Sequence, residues 1–144
     1  MKYAVQIEID RSPDELAKLF LDRDRLGEWM QGFSGIDQLR GEPFSEGSTA
    51  RWCFKSGEKE MEMIETVLVS DLPRKYSVQY DAKGVYNVVT TRFEPLDEER
   101  TRLISENLFK FSGFMRIFGL LMPKAFRQQS NKYLSDFKEL AEKE

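Results

Sequence analysis

Polar and apolar residues alternate from Lys2 to Asp10, with Tyr3, Val5, Ile7 and Ile9 on one side and Lys2, Gln6 and Glu8 on the other. A period of two is that of a strand with one buried face. Ser12-Pro13-Asp14-Glu15 then supplies a cap, a proline at the first helical position and a glutamate able to bond back to the cap. This predicts a helix burying Leu16, Leu19 and Phe20 and ending near Asp22. Asp24 is placed to cap a second short helix running through Trp29 and Met30.

Between Gly32 and Phe111 there is no helical period, only alternating runs separated by turn residues. Gly41-Glu42-Pro43 and Glu46-Gly47-Ser48 bracket short strands, and Ser56-Gly57-Glu58-Lys59 forms a hairpin turn between 50–55 and 60–70. Asp71-Leu72-Pro73-Arg74 closes that strand, and 75–82, 85–94 and 101–111 complete the set. Connections this short cannot carry crossover helices, so an antiparallel meander is expected.

The last stretch, 113–144, changes period. Phe118, Met122, Ala125, Phe126, Gln129, Tyr133, Phe137 and Leu140 recur in steps of three and four and define one helical face. Fully helical, the stretch would measure roughly 45 Å, enough to cross a small domain. Pro123 interrupts it with a kink or a fresh start, because its ring removes a backbone donor and clashes with the preceding turn. The segment before it, 114–122, is apolar nearly all round, so something besides the sheet should meet its outer face. The second short helix could cover it; otherwise it is a lid over a cavity, the reading preferred here, a dimer contact or a membrane-touching patch.

Composition narrows the chemistry. The 144 residues fit one domain, 1–144, with room for a core and a cavity. Lys plus Arg is 22 against 25 Asp plus Glu, a formal charge of -3 with the signs interspersed, so no nucleic-acid partner is expected. Cys53 is the single cysteine, and the chain has no histidine. Thiolate zinc cages and every Ser-His or Cys-His nucleophile pair are thereby excluded, and no metal or cofactor is expected. No run approaches the ~20 apolar residues of a membrane span, and a cytoplasmic setting is the expectation.

Strand parity assigns faces. Trp52 and Phe54 oppose Arg51, Cys53 and Lys55, while Met61, Met63, Val67 and Val69 oppose Glu60 and Glu62. Tyr76, Val78 and Tyr80 point inward, as do Val89, Thr91 and Phe93, and Leu103, Phe109 and Phe111. The same parity carries Glu65, Asn87, Ser105 and Asn107 inward. An unpaired buried polar group costs about 1–3 kcal/mol, so these four bond to one another, to water or to a ligand. Cys53 falls on the charged face without an activating partner.

This order of strand, two short helices, about six further antiparallel strands and a long C-terminal helix resembles the START-like SRPBCC superfamily. The likeness is closest to its bacterial polyketide cyclase/dehydrase-like branch. Its local carriers are Val5-Gln6-Ile7-Glu8-Ile9 followed by Ser12-Pro13-Asp14-Glu15-Leu16, Trp29, and Gly47-Ser48-Thr49-Ala50-Arg51. Thr66-Val67 leading to Leu72-Pro73, Thr101-Arg102-Leu103 and the closing 134–140 repeat also fit. The resemblance implies an α+β helix-grip fold, a curved sheet of six to seven strands around the last helix, with an apolar cavity between them.

Within that frame Trp29 and Phe33 are candidates for the cavity mouth, and Trp52, Phe54, Met61 and Met63 for an adaptable wall. Phe118 and Met122 would approach from the last helix, with Tyr80, Asn87 and Asn107 orienting a ligand's polar end. The expected partner is a small apolar or amphipathic molecule, the protein itself being a monomer or weak homodimer. An alternative is a cyclase or dehydrase in which Glu65 or Tyr80 moves a proton. A further alternative is an interaction module like the chaperone activators of this superfamily, which would show an apolar surface patch in place of a cavity.

Overall fold

A computed structural model describes all residues, Met1–Glu144. Strand β1, Lys2–Ile9, leads into helix α1, Pro13–Phe20, and a 3-10 helix, Arg23–Glu28. Six more strands come next: β2 Phe33–Arg40, β3 Thr49–Ser56, β4 Lys59–Asp71, β5 Lys75–Ala82, β6 Val85–Asp97 and β7 Arg100–Phe111. Helices α2, Met115–Leu121, and α3, Pro123–Lys143, close the chain.

Local chemistry accounts for the boundaries. The Ser12 hydroxyl accepts from the Glu15 amide while the Glu15 carboxylate accepts from the Ser12 amide, the capping box expected at α1. The second short helix starts earlier than expected, because the Asp22 carboxylate, not that of Asp24, takes the cap by accepting from the Asp24 amide. It ends at Glu28, with Trp29 already non-helical. Gly41-Glu42-Pro43 and Glu46-Gly47-Ser48 lie in the turns between β2 and β3, as expected, and the residues between these two triplets are turn as well.

All seven strands form one antiparallel sheet in the order β1-β7-β6-β5-β4-β3-β2. The first and last strands are therefore neighbours, and α3 lies across β1. Leu134, Phe137 and Ala141 of α3 sink into a core with Ile9, Leu16, Trp29, Phe93 and Leu103. Phe137 is fully buried, its ring 4.8 Å from that of Trp29 and 5.7 Å from that of Phe20. This is a sheet gripping a helix, as expected.

Two expected facings change. A bulge at Leu68 places Val69 opposite Ser77 on the outer side of the sheet, because one inserted residue reverses the parity of the rest of the strand. The inward face of the C-terminal helix also begins later than its sequence period suggests. The chain breaks at Met122, with φ -130° and ψ 44°, so Phe118, Met122 and Ala125 stay exposed while Phe126, Tyr133 and Phe137 turn inward. The 3-10 helix does not cover α2, which rests on β7 and the start of α3.

Candidate functional site

Register turns the alternating pattern into rungs across the inner face. Glu65 pairs with Tyr80, Tyr80 with Asn87 and Asn87 with Phe109. The next inward rung runs Val67, Val78, Val89, Asn107 and Tyr3, and the one after it Tyr76, Thr91, Ser105 and Val5. On β3 and β4, Trp52 faces Met63 and Phe54 faces Met61. The polar residues that parity carried inward, Glu65, Asn87, Ser105 and Asn107, thus converge from three strands, β4, β6 and β7.

A cavity of about 250 Å³ separates these rungs from α3. Phe54, Met61, Met63, Tyr80 and Phe109 line its sheet side, and Phe126, Gln129, Tyr133 and Leu134 its helix side. Fourteen of its twenty lining residues are hydrophobic, so it favours an apolar body. The polar lining is tied down. Asn107 Nδ2 donates to Ser105 Oγ at 3.0 Å, Asn87 Nδ2 donates to the Leu108 carbonyl at 3.2 Å, and the Tyr3 and Ser130 hydroxyls lie 2.7 Å apart.

A second, smaller cavity of about 40 Å³ shares a wall with the first at Trp29, Trp52 and Tyr80. Its lining adds Arg23, Glu65 and Tyr76. Here the hydrogen bonding is incomplete: Arg23 Nε, Trp29 Nε1 and the Tyr76 hydroxyl are buried without partners. Three unpaired donors on residues that line the same pocket as Glu65 call for an acceptor oxygen, and the volume suits one or two water molecules or a single polar group of that size.

Electrostatics sharpen this end of the site. Glu65 is 3% exposed, and its burial raises its carboxyl above the ordinary 4.5. The Tyr80 hydroxyl, the Trp52 indole and the charge of Arg23 oppose that rise only in part. Tyr80 is pushed well up, first by burial and then by the charge of Glu65, and Tyr76 is raised for the same two reasons. Both phenols therefore remain hydrogen-bond donors through the physiological range. No group of three or more His, Cys, Asp or Glu side chains is gathered for a metal.

The structure brings together Trp29, Trp52, Phe54, Met63, Tyr80, Asn87 and Asn107 at the large cavity and places Glu65 in the small one. Met61 stands at the rim, lining the cavity while 55% exposed. Phe33 lies outside, its ring edge-on to Trp52 at 5.7 Å and to Phe54 at 6.0 Å, and so buttresses the wall from behind. Phe118 and Met122 also lie outside the lining. Sequence reasoning missed Arg23, whose guanidinium sits 4.9 Å over the Phe44 ring, and Tyr3. No sequence signal marked Arg23, whereas Tyr3 was on the inward face of β1 and needed only the register to place it.

A family model described as polyketide cyclase / dehydrase and lipid transport matches residues 1–142. The chain belongs to this family. No curated protein matches it in sequence. Among solved structures, this member of the polyketide cyclase / dehydrase and lipid transport family is similar to Ara h 8.0201, with a TM-score of 0.81 at 10% identity, covering 100% of this chain and 99% of that one. It is similar to the Zhui aromatase/cyclase from Streptomyces sp. R1128, with a TM-score of 0.77 at 15% identity and coverage of 99% and 93%. Norcoclaurine synthase from Thalictrum flavum, in complex with dopamine and hydroxybenzaldehyde, gives 0.71 at 16% identity, covering 99% and 87%. At such identities the likeness carries the fold to this family member and leaves its site to be read from its own residues.

Proposed function

We propose that the protein binds a small amphipathic molecule whose apolar body fills the larger cavity and whose acceptor oxygen enters the smaller one. The observation that carries this reading is the pairing of an apolar chamber of about 250 Å³ with an inner pocket of unpaired donors. A cavity of about 150 Å³ lined by apolar side chains takes a benzene ring, so a ring-sized or short-chain molecule fits this volume. The donors would fix its orientation, since a buried donor left unpaired costs about 1–3 kcal/mol that an acceptor restores. A solved relative holding dopamine and hydroxybenzaldehyde agrees in size class.

The reading is tested by native mass spectrometry of the purified protein for a co-purifying small molecule, and then by titration with a fluorescent apolar probe. Met63→Trp, which extends a larger side chain into the chamber, should weaken probe binding at least tenfold. Absence of probe binding, or unchanged affinity in the variant, overturns the proposal.

A second reading is a cyclase- or dehydrase-type enzyme, favoured by Glu65 being buried with a raised carboxyl opposite Tyr80. A buried carboxyl that holds its proton more tightly than usual can act as a general acid, and confinement would supply the folding of a reactive substrate. Turnover lost in Glu65→Gln with probe binding retained supports it. Unchanged turnover removes Glu65 from that role.

A further inference from the structure

Helix α2 uses little of itself to attach to the fold. Met115 and Gly119, one turn apart, are its partly buried positions, and a Cβ added at Gly119 would collide with the Phe111 ring. Glycine thus lets α2 lie directly on β7, with Met115 set against Gly84 in the β5–β6 turn. Everything else on α2 faces outward. Leu120 is 82% exposed, Leu121 75% and Phe114 74%, and Ile117, Phe118 and Met122 are exposed beside them.

The charge along this part of the chain is one-sided. No acidic residue occurs between Glu106 and Asp136, whereas Lys110, Arg116, Lys124, Arg127 and Lys132 all fall there, although the whole chain carries -3. Lys132 pairs with Asp136. The other four cations are exposed and form no ion pair within the molecule.

We propose that α2 and the first turns of α3 form a docking surface for an anionic lipid bilayer, with Phe114, Leu120 and Leu121 inserted and Arg116 and Lys124 meeting the headgroups. An apolar helix flanked by cations lies in the plane of an interface and gains from both terms. A second copy is a poor occupant, because a two-fold contact places the same patch on both partners and sets like charges against each other. Contact would be peripheral, since no helix is long and apolar enough to cross a membrane. The inference goes beyond ligand binding and does not depend on what fills the cavity.

The test is co-sedimentation of the full chain with vesicles of phosphatidylcholine alone and of equal parts phosphatidylcholine and phosphatidylglycerol. The wild type should pellet with the anionic vesicles and not with the neutral ones. Salt raised from about 0.01 M to about 1 M, which shortens the screening length from roughly 30 Å to roughly 3 Å, should weaken binding. Arg116→Gln and Lys124→Gln should each lower the partition coefficient about fivefold, equivalent to about 1 kcal/mol per cation. The pair Leu120→Glu and Leu121→Glu should abolish binding with unchanged circular dichroism and probe affinity. Equal binding to both vesicle types, or no binding to either, overturns the proposal. So does a concentration-dependent dimer that dissociates on Leu120→Glu without any lipid binding by the wild type.

Discussion

Glu65 couples the site to stability through its proton. Because burial raises its carboxyl, the folded state holds that proton more tightly than the unfolded chain does. The resulting stabilisation is complete below the ordinary value of 4.5 and is lost as pH rises through the higher folded value. A tenfold difference in proton affinity corresponds to about 1.4 kcal/mol. Glu65→Gln keeps the shape without the titration, so its melting temperature relative to the wild type should climb between about pH 4 and neutrality. Glu15, Glu28 and Asp97, held low by their hydrogen bonds to Ser12, Arg25 and the Glu99 amide, act in the opposite sense, but in both proteins alike. Paired thermal melts across that range check it, and a difference that stays flat would mean that Glu65 does not titrate in the fold. Glu65, Ser105 and Asn107 could be assigned to the interior from the sequence because alternation leaves a strand residue only two faces. Arg23 could not, since a short 3-10 helix has no such constraint and its burial depends on Phe44 arriving from a distant turn.

Where elements meet, the legible and the illegible separate in the same way. Six of the seven strands and α1 announce themselves through periods of two and a cap, whereas β2 carries no clean alternation, and the bulge at Leu68 that turns Val69 outward arises only from pairing with β5. Pro123 marked a break in the last helix, whereas which side of it reached the cavity depended on the rotation of α3 after Met122. The seat of α2 is similarly a matter of contact. Gly119 within a helix costs about 1 kcal/mol relative to alanine, and it persists where a methyl group would meet Phe111, whose ring is stacked on Phe109 and tilted onto Phe126. Gly119→Ala should therefore fail to gain that propensity and should lift α2 from β7 while α3 keeps its place. Hydrogen exchange should quicken across 115–122 and remain unchanged across 130–141. A variant that melts higher by the full propensity gain would show that Phe111 yields freely and the seat is loose.

The hollow between sheet and helix limits how stable the empty protein can be. Only 23 of 144 residues are buried, and α3 contributes Leu134, Phe137 and Ala141 to the buried core, with Tyr133 and Leu140 packed partly buried against it. The side chains lining the larger cavity lack partner atoms on their open side and forgo that contact energy. Anything that fills the hollow should stabilise the fold by mass action, about 2.7 kcal/mol at a ligand concentration one hundred times the dissociation constant. For a chain of this length, at roughly 3 °C per kcal/mol, the melting temperature should rise by roughly 8 °C. Met63→Trp offers the same space an internal occupant, so the variant should melt at or above the empty wild type and lose most of the ligand-induced rise. Scanning calorimetry of both proteins, with and without the fluorescent probe, separates the possibilities. A variant destabilised by about 1–3 kcal/mol would show the overpacking expected of a filled core. An undiminished rise in the variant would place the probe elsewhere on the molecule, with the exposed face of α2 the next surface to examine.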